Sequence, residues 1–240
     1  MNGMKKNKVL VQNSITYAIV IACWILVQIL GATGHMTSLL KGLLVPLCIY
    51  VILAVSLNLT VGILGELSLG HAGFMCVGAF TGAFFTKCME NAIPSVGMRF
   101  FLALIIGAAV AGVFGIIIGI PVLRLKGDYL AIVTLAFGEI IKNLINVMYV
   151  GLDSNGFHFS IKDTTSLGMG ADGVVIIKGA QGITGTPKAA TFTVGIILVL
   201  ITLFIVLNLI NSRTGRAIMS IRDNRIAAES VGINITKYKL

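Results

Sequence analysis

The sequence predicts an all-α integral membrane protein with about six transmembrane helices and a helical segment on the cytoplasmic side. Of its 240 residues, 57% are hydrophobic and 11% are charged, whereas soluble domains carry about 25% charged residues. The mean hydropathy is +0.99. Apolar runs of about 20 residues, the length that spans a bilayer, recur six times. They are Ser14 to Ala32, Gly42 to Leu64, Leu67 to Phe85, Phe100 to Val122, Tyr129 to Val150, and Thr191 to Ile210.

The basic residues predict the orientation of these spans. The net charge is +9, but the basic residues lie in short segments between apolar runs without interleaved aromatics, so topology explains them better than nucleic-acid binding does. A cytoplasmic N-terminus places eleven basic residues inside and six outside. The eleven are Lys5, Lys6, Lys8, Arg124, Lys126, Arg213, Arg216, Arg222, Arg225, Lys237 and Lys239, and the six are Lys41, Lys87, Arg99, Lys162, Lys178 and Lys188. The excess favours the N-in arrangement.

Small residues mark two kinds of position in the spans. At four-residue spacing they predict faces where helix backbones approach closely in lipid. These faces hold Gly107, Ala111, Gly115 and Gly119 in the fourth span, and Gly78 and Gly82 in the third. A second group, Gly62, Gly65, Gly70 and Gly73, can break the helix near the junction of the second and third spans. Broken helices often line a transport path.

The segment 151–190 is polar, rich in glycine, and faces outward in this topology. Two stretches in it predict short strands: the alternating run from Phe157 to Ile161 and the apolar run from Val174 to Ile177. The four cysteines form no CxxC pair and lie in or beside apolar runs, so they are interpreted as small hydrophobic residues, and no metal site is predicted.

Polar residues inside the predicted spans suggest a path for a solute. Glu139 lies roughly 15 Å into the fifth span, near the middle of the bilayer, and Lys142 is three residues further on. The candidate path consists of Asn58, Ser68, His71, Glu139, Asn143 and Asn146. Two alternatives stay open: a neutralised Glu139–Lys142 pair that locks helices together, and a His71 that is only packed and hydrogen-bonded.

The segment 212–240, called the coupling segment below, predicts an amphipathic helix outside the bilayer. Ser212 can cap its start, Gly232 can end it, and a second short helix can begin at Asp223 or Asn224. Ala217, Ile221, Ala228 and Val231 share its apolar face. Such a helix can lie on anionic lipid or dock in the groove of a soluble partner.

Four stretches of the sequence resemble branched-chain amino-acid ABC permeases of the LivM type. The coupling segment, with GRA at 215–217, RD at 222–223 and IAAESVGIN at 226–234, is similar to the family's cytoplasmic loop. The other three are SLNLTVGILGELSLGHAGFMCVGAF at 56–80, LRLKGDYLAIVTLAFGEII at 123–141 and GAQGITGTP at 179–187. Glu66 stands where the family usually has Gln, and the last motif reads Gly185-Thr186-Pro187 instead of GIP.

The resemblance implies a permease subunit of an ATP-driven importer of branched-chain or other hydrophobic amino acids in the inner membrane of a bacterium. It implies a second permease chain, two ATP-binding subunits and an external solute-binding protein as partners. It also implies that the family continues through at least two further spans, so we expect a single permease domain over 1–240 that is truncated at its C-terminus.

The resemblance further implies that the coupling segment is seated on an ATPase. The residues assigned to this contact are Arg216, Arg222, Asp223, Arg225, Ile226, Ala227, Ala228, Glu229, Gly232, Ile233 and Asn234. The sequence holds no Walker A motif, so we expect no cofactor on this chain and magnesium-ATP on its partner.

Three alternatives to this function are weighed. Related permeases move urea or short amides, so the substrate is open. A self-contained secondary transporter or channel would need coupling-ion sites, for which Glu139 and His71 are the titratable candidates. An intramembrane enzyme is disfavoured because no acid–base or nucleophile constellation is present.

Overall fold

A computed structural model describes residues 2–34, 36–90, 92–122, 125, 127–153, 156–170, 173–187 and 189–239, with side chains from residue 11 onward. Arg124, Lys126 and Lys188, which entered the charge count, lie outside the described residues. The helices are α1 Asn2–Ala32, α2 Ser38–Asn58, α3 His71–Cys88, α4 Val96–Val122, α5 Asp128–Val147, α6 Phe192–Asn211, α7 Arg213–Asp223, α8 Arg225–Ser230 and α9 Ile235–Lys239. The strands are β1 Tyr149–Asp153, β2 Gly156–Ser160 and β3 Val174–Lys178.

Five of the described helices are long and apolar enough to cross a membrane. They cover Val11–Ala32, Ser38–Leu64, Val96–Val122, Asp128–Val147 and Phe192–Asn211. The helical multi-pass class is therefore confirmed.

Two predicted spans need correction. The third was placed at 67–85, but α3 begins only at His71 because residues 65–69 lie outside any helix, and α3 is not among the five. The fifth was extended to Val150, whereas α5 ends at Val147 and the chain then turns into β1.

Contacts divide the chain into two compact units, Met1–Gly65 with Ala190–Lys239 and Glu66–Ala189. In the first unit, α6 packs against α2 around the buried side chains of Cys48, Val199 and Leu203, and Tyr17 of α1 joins this cluster. Gly195 permits the contact, because a Cβ built there would lie 2.9 Å from the Cβ of Cys48. The prediction of one permease domain stays a prediction.

In the second unit, α3 and α4 form a close seam through small residues. A Cβ at Gly107 would lie 2.7 Å from the carbonyl oxygen of Gly78, and one at Gly82 would lie 3.3 Å from that of Ala103. Ala111 also faces Gly78, because its Cβ would lie 3.8 Å from a Cβ at Gly78. The predicted faces of these two helices are therefore confirmed at this contact. The buried face of α5 packs on α3 at Val77.

The loop after α5 carries a three-stranded antiparallel sheet in the order β2-β1-β3. Both predicted strands are confirmed, and β1 was missed because Tyr149 and Val150 were counted within an apolar span. Val150, Ile176 and Ile177 form the buried side of the sheet. In the turn that follows β2, hydrogen bonds from the Ser166 side chain and backbone lower the pKa of the Asp163 carboxyl.

Candidate functional site

The second span ends in a break with its own hydrogen-bond pattern. After Asn58, α2 continues as a π-helical turn over Leu59–Leu64, and the chain leaves it at Gly65, whose φ is +77°. The Gly65 amide donates to the carbonyl of Thr60, five residues back. Glycine fits here because a side chain with a Cβ is penalised in this left-handed conformation. The predicted break near Gly62 and Gly65 is confirmed.

Arg222 of α7 caps this break. Its Nη1 donates to the carbonyl oxygen of Gly62 at 2.9 Å, one of the last carbonyls of the turn, which a helix end leaves without a partner. The aliphatic part of the arginine lies over Gly65, where a Cβ would be 2.5 Å from Arg222 Cγ. A cation at a helix C-terminus is also favoured by the helix dipole.

Asp223 orients the same guanidinium. Its Oδ1 accepts from Nε of Arg222 at 3.2 Å and from Nη2 at 3.1 Å. The Nε–Nη2 edge of the guanidinium is thereby held by Asp223 while Nη1 points at Gly62. Because the pair is partly exposed, with 41% of the Arg222 side chain and 68% of the Asp223 side chain accessible, we assign it an orienting role more than a stabilising one.

The coupling segment folds as three short helices with their own caps. Ser212 accepts from the Gly215 amide at 3.1 Å to start α7, and Asn224 accepts from the Ala227 amide at 3.0 Å to start α8. Gly232, with φ +86°, ends α8. The cap at Ser212, the second helix near Asn224 and the stop at Gly232 are thus as the sequence predicted.

A small core holds the three helices of the coupling segment together. Ile221, Ala228 and Ile235 are buried, with Ile233 and Tyr238 packed on them. Ala228 is therefore inside the segment, at 3% exposure, and does not present its side chain to a partner. The large apolar side chains left at its surface are those of Ile226, 81% exposed, and Val231, 75% exposed.

The other predicted coupling residues are spread around this core. Arg216 donates to the carbonyl of Asn211 at the end of α6, at 3.3 Å, and Asn234 accepts from the Lys237 amide at 3.1 Å to start α9. Arg225 is partly buried, whereas the side of α8 at Ala227 and Glu229 and the turn at Gly232 are exposed. Direct contact of these residues with an ATPase stays a prediction.

The polar stripe of α5 lies on the surface of the second unit. Lys142 Nζ is 3.2 Å from Glu139 Oε2, and the two side chains are 59% and 55% exposed. Asn143 and Asn146 are exposed on the same side, as their three- and four-residue spacing requires. This chain alone therefore does not enclose these groups.

The segment between the break and α3 is held against α5. Thr134, 6% exposed, accepts from the Leu69 amide at 3.0 Å and donates to the carbonyl of Ala131. Cβ atoms at Gly70 and Gly73 would lie 3.0 Å from the Thr134 carbonyl oxygen and the Gly138 Cα, respectively. The close approach explains both glycines.

The remaining candidates for a path lie at the end of α2 and at or just before the start of α3. Ser68 lies in the segment between the break and α3, and His71 is the first residue of α3; both are half-buried, while Asn58 is exposed at the end of α2. The amide oxygen of Asn58 fills the space beside Gly62 where a Cβ would overlap it.

Sequence reasoning missed two contacts. One joins Thr134 to the Leu69 amide, and the other joins Arg222 to the Gly62 carbonyl. A threonine in an apolar run is an ordinary packing residue, so Thr134 gave no signal. Arg222 and Gly62 are 160 residues apart, and no local pattern joins them. The glycines at 62 and 65 did signal a break, but not the side chain that closes it.

Comparison with known proteins adds the family context. Residues 39–240 match the family described as branched-chain amino acid transport system / permease component. Two relatives, both described as the high-affinity branched-chain amino acid transport system permease protein LivM, come from Salmonella typhimurium strain LT2 and Escherichia coli strain K12. Each is 34% identical over 201 residues, which cover 80% of this chain and 46% of the relative. The chain spans about half the length of the curated relatives it matches. No solved structure matches it.

Proposed function

The chain belongs to the family of branched-chain amino acid transport permease components, and we propose that it is the membrane-spanning subunit of an ATP-driven importer. Its cargo is a branched-chain or another hydrophobic amino acid, and a separate subunit hydrolyses ATP. The observation that carries this proposal is the coupling segment, which folds around a core of its own and presents large apolar side chains outside the spans.

The docking surface for the ATPase consists of Ile226 and Val231 at the two ends of α8. Large apolar side chains at 81% and 75% exposure are poorly placed in water and well suited to a groove on a partner. The charged Glu229 lies between them in sequence and sets orientation, since rim charges govern registry more than affinity. Ala228 supports this surface from below by filling the core of the segment.

Co-purification of the ATPase with the permease tests this surface. We expect Ile226→Asp or Val231→Asp to lower the amount of bound ATPase about tenfold or more, because each places a charge in an apolar contact. Val174→Asp is the matched control, since Val174 is 59% exposed on β3, outside the coupling segment. Equal ATPase recovery from all variants would show that the segment lies on lipid instead.

The translocation path runs along the polar stripe of α5. Glu139 is the twelfth residue of the 20-residue helix α5, close to the middle of the bilayer if α5 spans it. A charge there costs between about 2.5 and more than 10 kcal/mol when it faces hydrocarbon. The exposed stripe therefore lies against water or a second permease chain. The stripe and the surface opposite it form the two sides of the path.

Thiol labelling distinguishes the stripe from a lipid-facing side of the same helix. In a variant without the native cysteines, we expect Asn143→Cys to react with a hydrophilic maleimide. Leu144→Cys, next along the helix and also exposed at 56%, should stay unreactive because it faces lipid. Equal reactivity of both positions would contradict the path.

The orientation is N-in, and α3 crosses the membrane in addition to the five long apolar helices. The loop that carries the sheet then lies outside the cytoplasmic membrane and the coupling segment lies inside. The charge asymmetry of the sequence supports this arrangement. Cysteine at Lys162, an exposed position near Ser166, should label from outside intact cells. Labelling only after permeabilisation would reverse the topology.

Uptake by the reconstituted transporter tests the cargo. We expect ATP-dependent uptake of labelled leucine that unlabelled isoleucine or valine inhibits and urea does not. Inhibition by urea or a short amide, without an effect of the amino acids, would assign the alternative cargo. Uptake without ATP would favour a secondary transporter.

A further inference from the structure

The contact of Arg222 with the break in the second span offers a mechanical link. In the described part of the chain, the other side-chain hydrogen bonds of α7 and α8 stay within residues 211–230. Arg222 alone in this set reaches a distant part of the chain, the carbonyl of Gly62. Its contact therefore joins the predicted docking segment to a membrane-spanning helix.

We propose that Arg222 is a positioning residue that transmits movement of the coupling segment to the π-helical break at 59–65. This inference rests on the function proposed above. Displacement of α7 by the ATPase removes the guanidinium from Gly62, and the freed carbonyl lets the turn rearrange. The second span thereby responds to the nucleotide state of the partner.

Three observations support this link. The backbone of Arg222 is fixed to the segment, because the preceding Ile221 is 5% exposed and packs in the core with Ala228. The head of Arg222 is oriented by Asp223. The stem lies over Gly65 with no room for a Cβ, so the arginine is in close contact with the break.

The break itself is a suitable receiver of this movement. A π-turn is a rare irregularity that occurs at functional positions, and its last carbonyls depend on partners outside the helix. Gly65 allows the chain to change direction directly below the capped carbonyl. Since hydrogen bonds to charged groups are among the stronger ones in proteins, making and breaking this contact can select between two arrangements of the turn.

The test measures solute moved per ATP hydrolysed by the complete transporter in proteoliposomes. We expect Arg222→Met to lower this ratio about tenfold, within the usual range of coupling between sites. Arg222→Lys should lower it less, because its ammonium can still donate to the Gly62 carbonyl. Arg213→Met is the matched control. It removes a cation from the first turn of the same helix, and Arg213 makes no side-chain hydrogen bond within the described residues.

Gly65→Ala provides a second, independent route to the same contact, since the added Cβ displaces the Arg222 stem. It should lower the ratio too, and the double variant with Arg222→Met should be no worse than the more severe of the two single variants, as expected for two changes that act on one contact. Effects that multiply, or a normal ratio in Arg222→Met, would overturn the link.

The same preparations separate this inference from the proposed function. The link is refuted if the ATPase co-purifies with the parent and with Arg222→Met while Arg222→Met and Gly65→Ala both transport with the parent's ratio. That result would leave the proposed importer intact. If the parent retains no ATPase, both fall.

Discussion

Glycines in two regions of this molecule have opposite effects on their helices. Along the seam between α3 and α4, Gly78 and Gly107 stay in regular helix and let two backbones touch. At the end of the second span, Gly65 takes a left-handed φ and the helix stops. The residue type is the same, so the outcome depends on what lies opposite: a second helix backbone in the seam, an arginine from another helix at the break.

The difference teaches that a glycine in a membrane helix has to be assigned through its contact. In the seam, Gly107 is needed for space, because a larger side chain there meets the backbone of Gly78. The glycine at the break is needed for conformation as well, and its neighbour is a flexible side chain that can yield at the expense of its hydrogen bond. Substitutions of matched glycines separate the two requirements.

The largest effect is expected in the seam. Gly107→Leu should destabilise the protein by about 3 kcal/mol, near the upper end for overpacking, because its Cβ already falls 2.7 Å from the Gly78 carbonyl oxygen. Gly112→Leu on the same helix is the control, since nothing lies within 4 Å of a Cβ there. Thermal denaturation in detergent compares them, and equal stabilities would mean that α3 and α4 do not meet at Gly107.

At the break, Gly65→Ala should cost more than Gly34→Ala. Both glycines have nearly the same φ, +77° and +76°, so both substitutions carry a left-handed penalty of about 1–2 kcal/mol. A Cβ at Gly34 meets nothing, whereas one at Gly65 meets Arg222. The difference in thermal stability, about 1 kcal/mol for a lost hydrogen bond, isolates the contact. It should vanish when Arg222 is already alanine, which has neither the Cγ nor the guanidinium.

Asn224→Ala tests how firmly the arginine is held at the break. It removes the cap of α8, which we expect to cost about 1 kcal/mol, and α8 carries Ala228 of the core that fixes α7. Proteolysis of the coupling segment should become faster while the seam between α3 and α4 is unaffected. Asn211→Ala, at the end of α6 and outside the three short helices of the coupling segment, serves as the control.

The smallest effect is expected at the other side of the seam. A Cβ at Gly78 would lie 3.6 Å from the Gly107 carbonyl oxygen, an ordinary contact, so Gly78→Ala should change stability by no more than about 0.5 kcal/mol. Gly107→Ala, at 2.7 Å in the reverse direction, should be clearly destabilising. If the two alanine variants are equal in thermal denaturation, the seam has adjusted and its asymmetry is not a property of the folded protein.

Hydropathy and spacing were sufficient to predict the helical class, five of the six spans, the two outer strands at 156–160 and 174–178, and the caps at Ser212 and Gly232. These features depend on residues close in sequence, whose side chains and backbone amides decide the local structure. The third predicted span began too early because residues 65–69 lie outside any helix, with the Leu69 amide donating to the Thr134 hydroxyl of α5. Hydropathy counts such a stretch as helix.

The candidate site was less predictable, for the same reason. The sequence predicted that the coupling segment is amphipathic, but it placed Ala228 and Val231 together on the apolar face. In the structure the segment divides into α7, α8 and α9, and the division turns Ala228 inward and Val231 outward. The partner of Arg222 lies 160 residues away, beyond any periodic signal.

The ion pair of α5 has a consequence for how this sequence can change over generations. Glu139 and Lys142 neutralise each other across one helical turn, so this pair adds no net charge to α5. Loss of either residue alone would leave its neighbour as an isolated charge, whereas loss of both, or their exchange, would not. The residues at the two positions are therefore expected to change together, and natural variants that keep only one of the two charges should be rare.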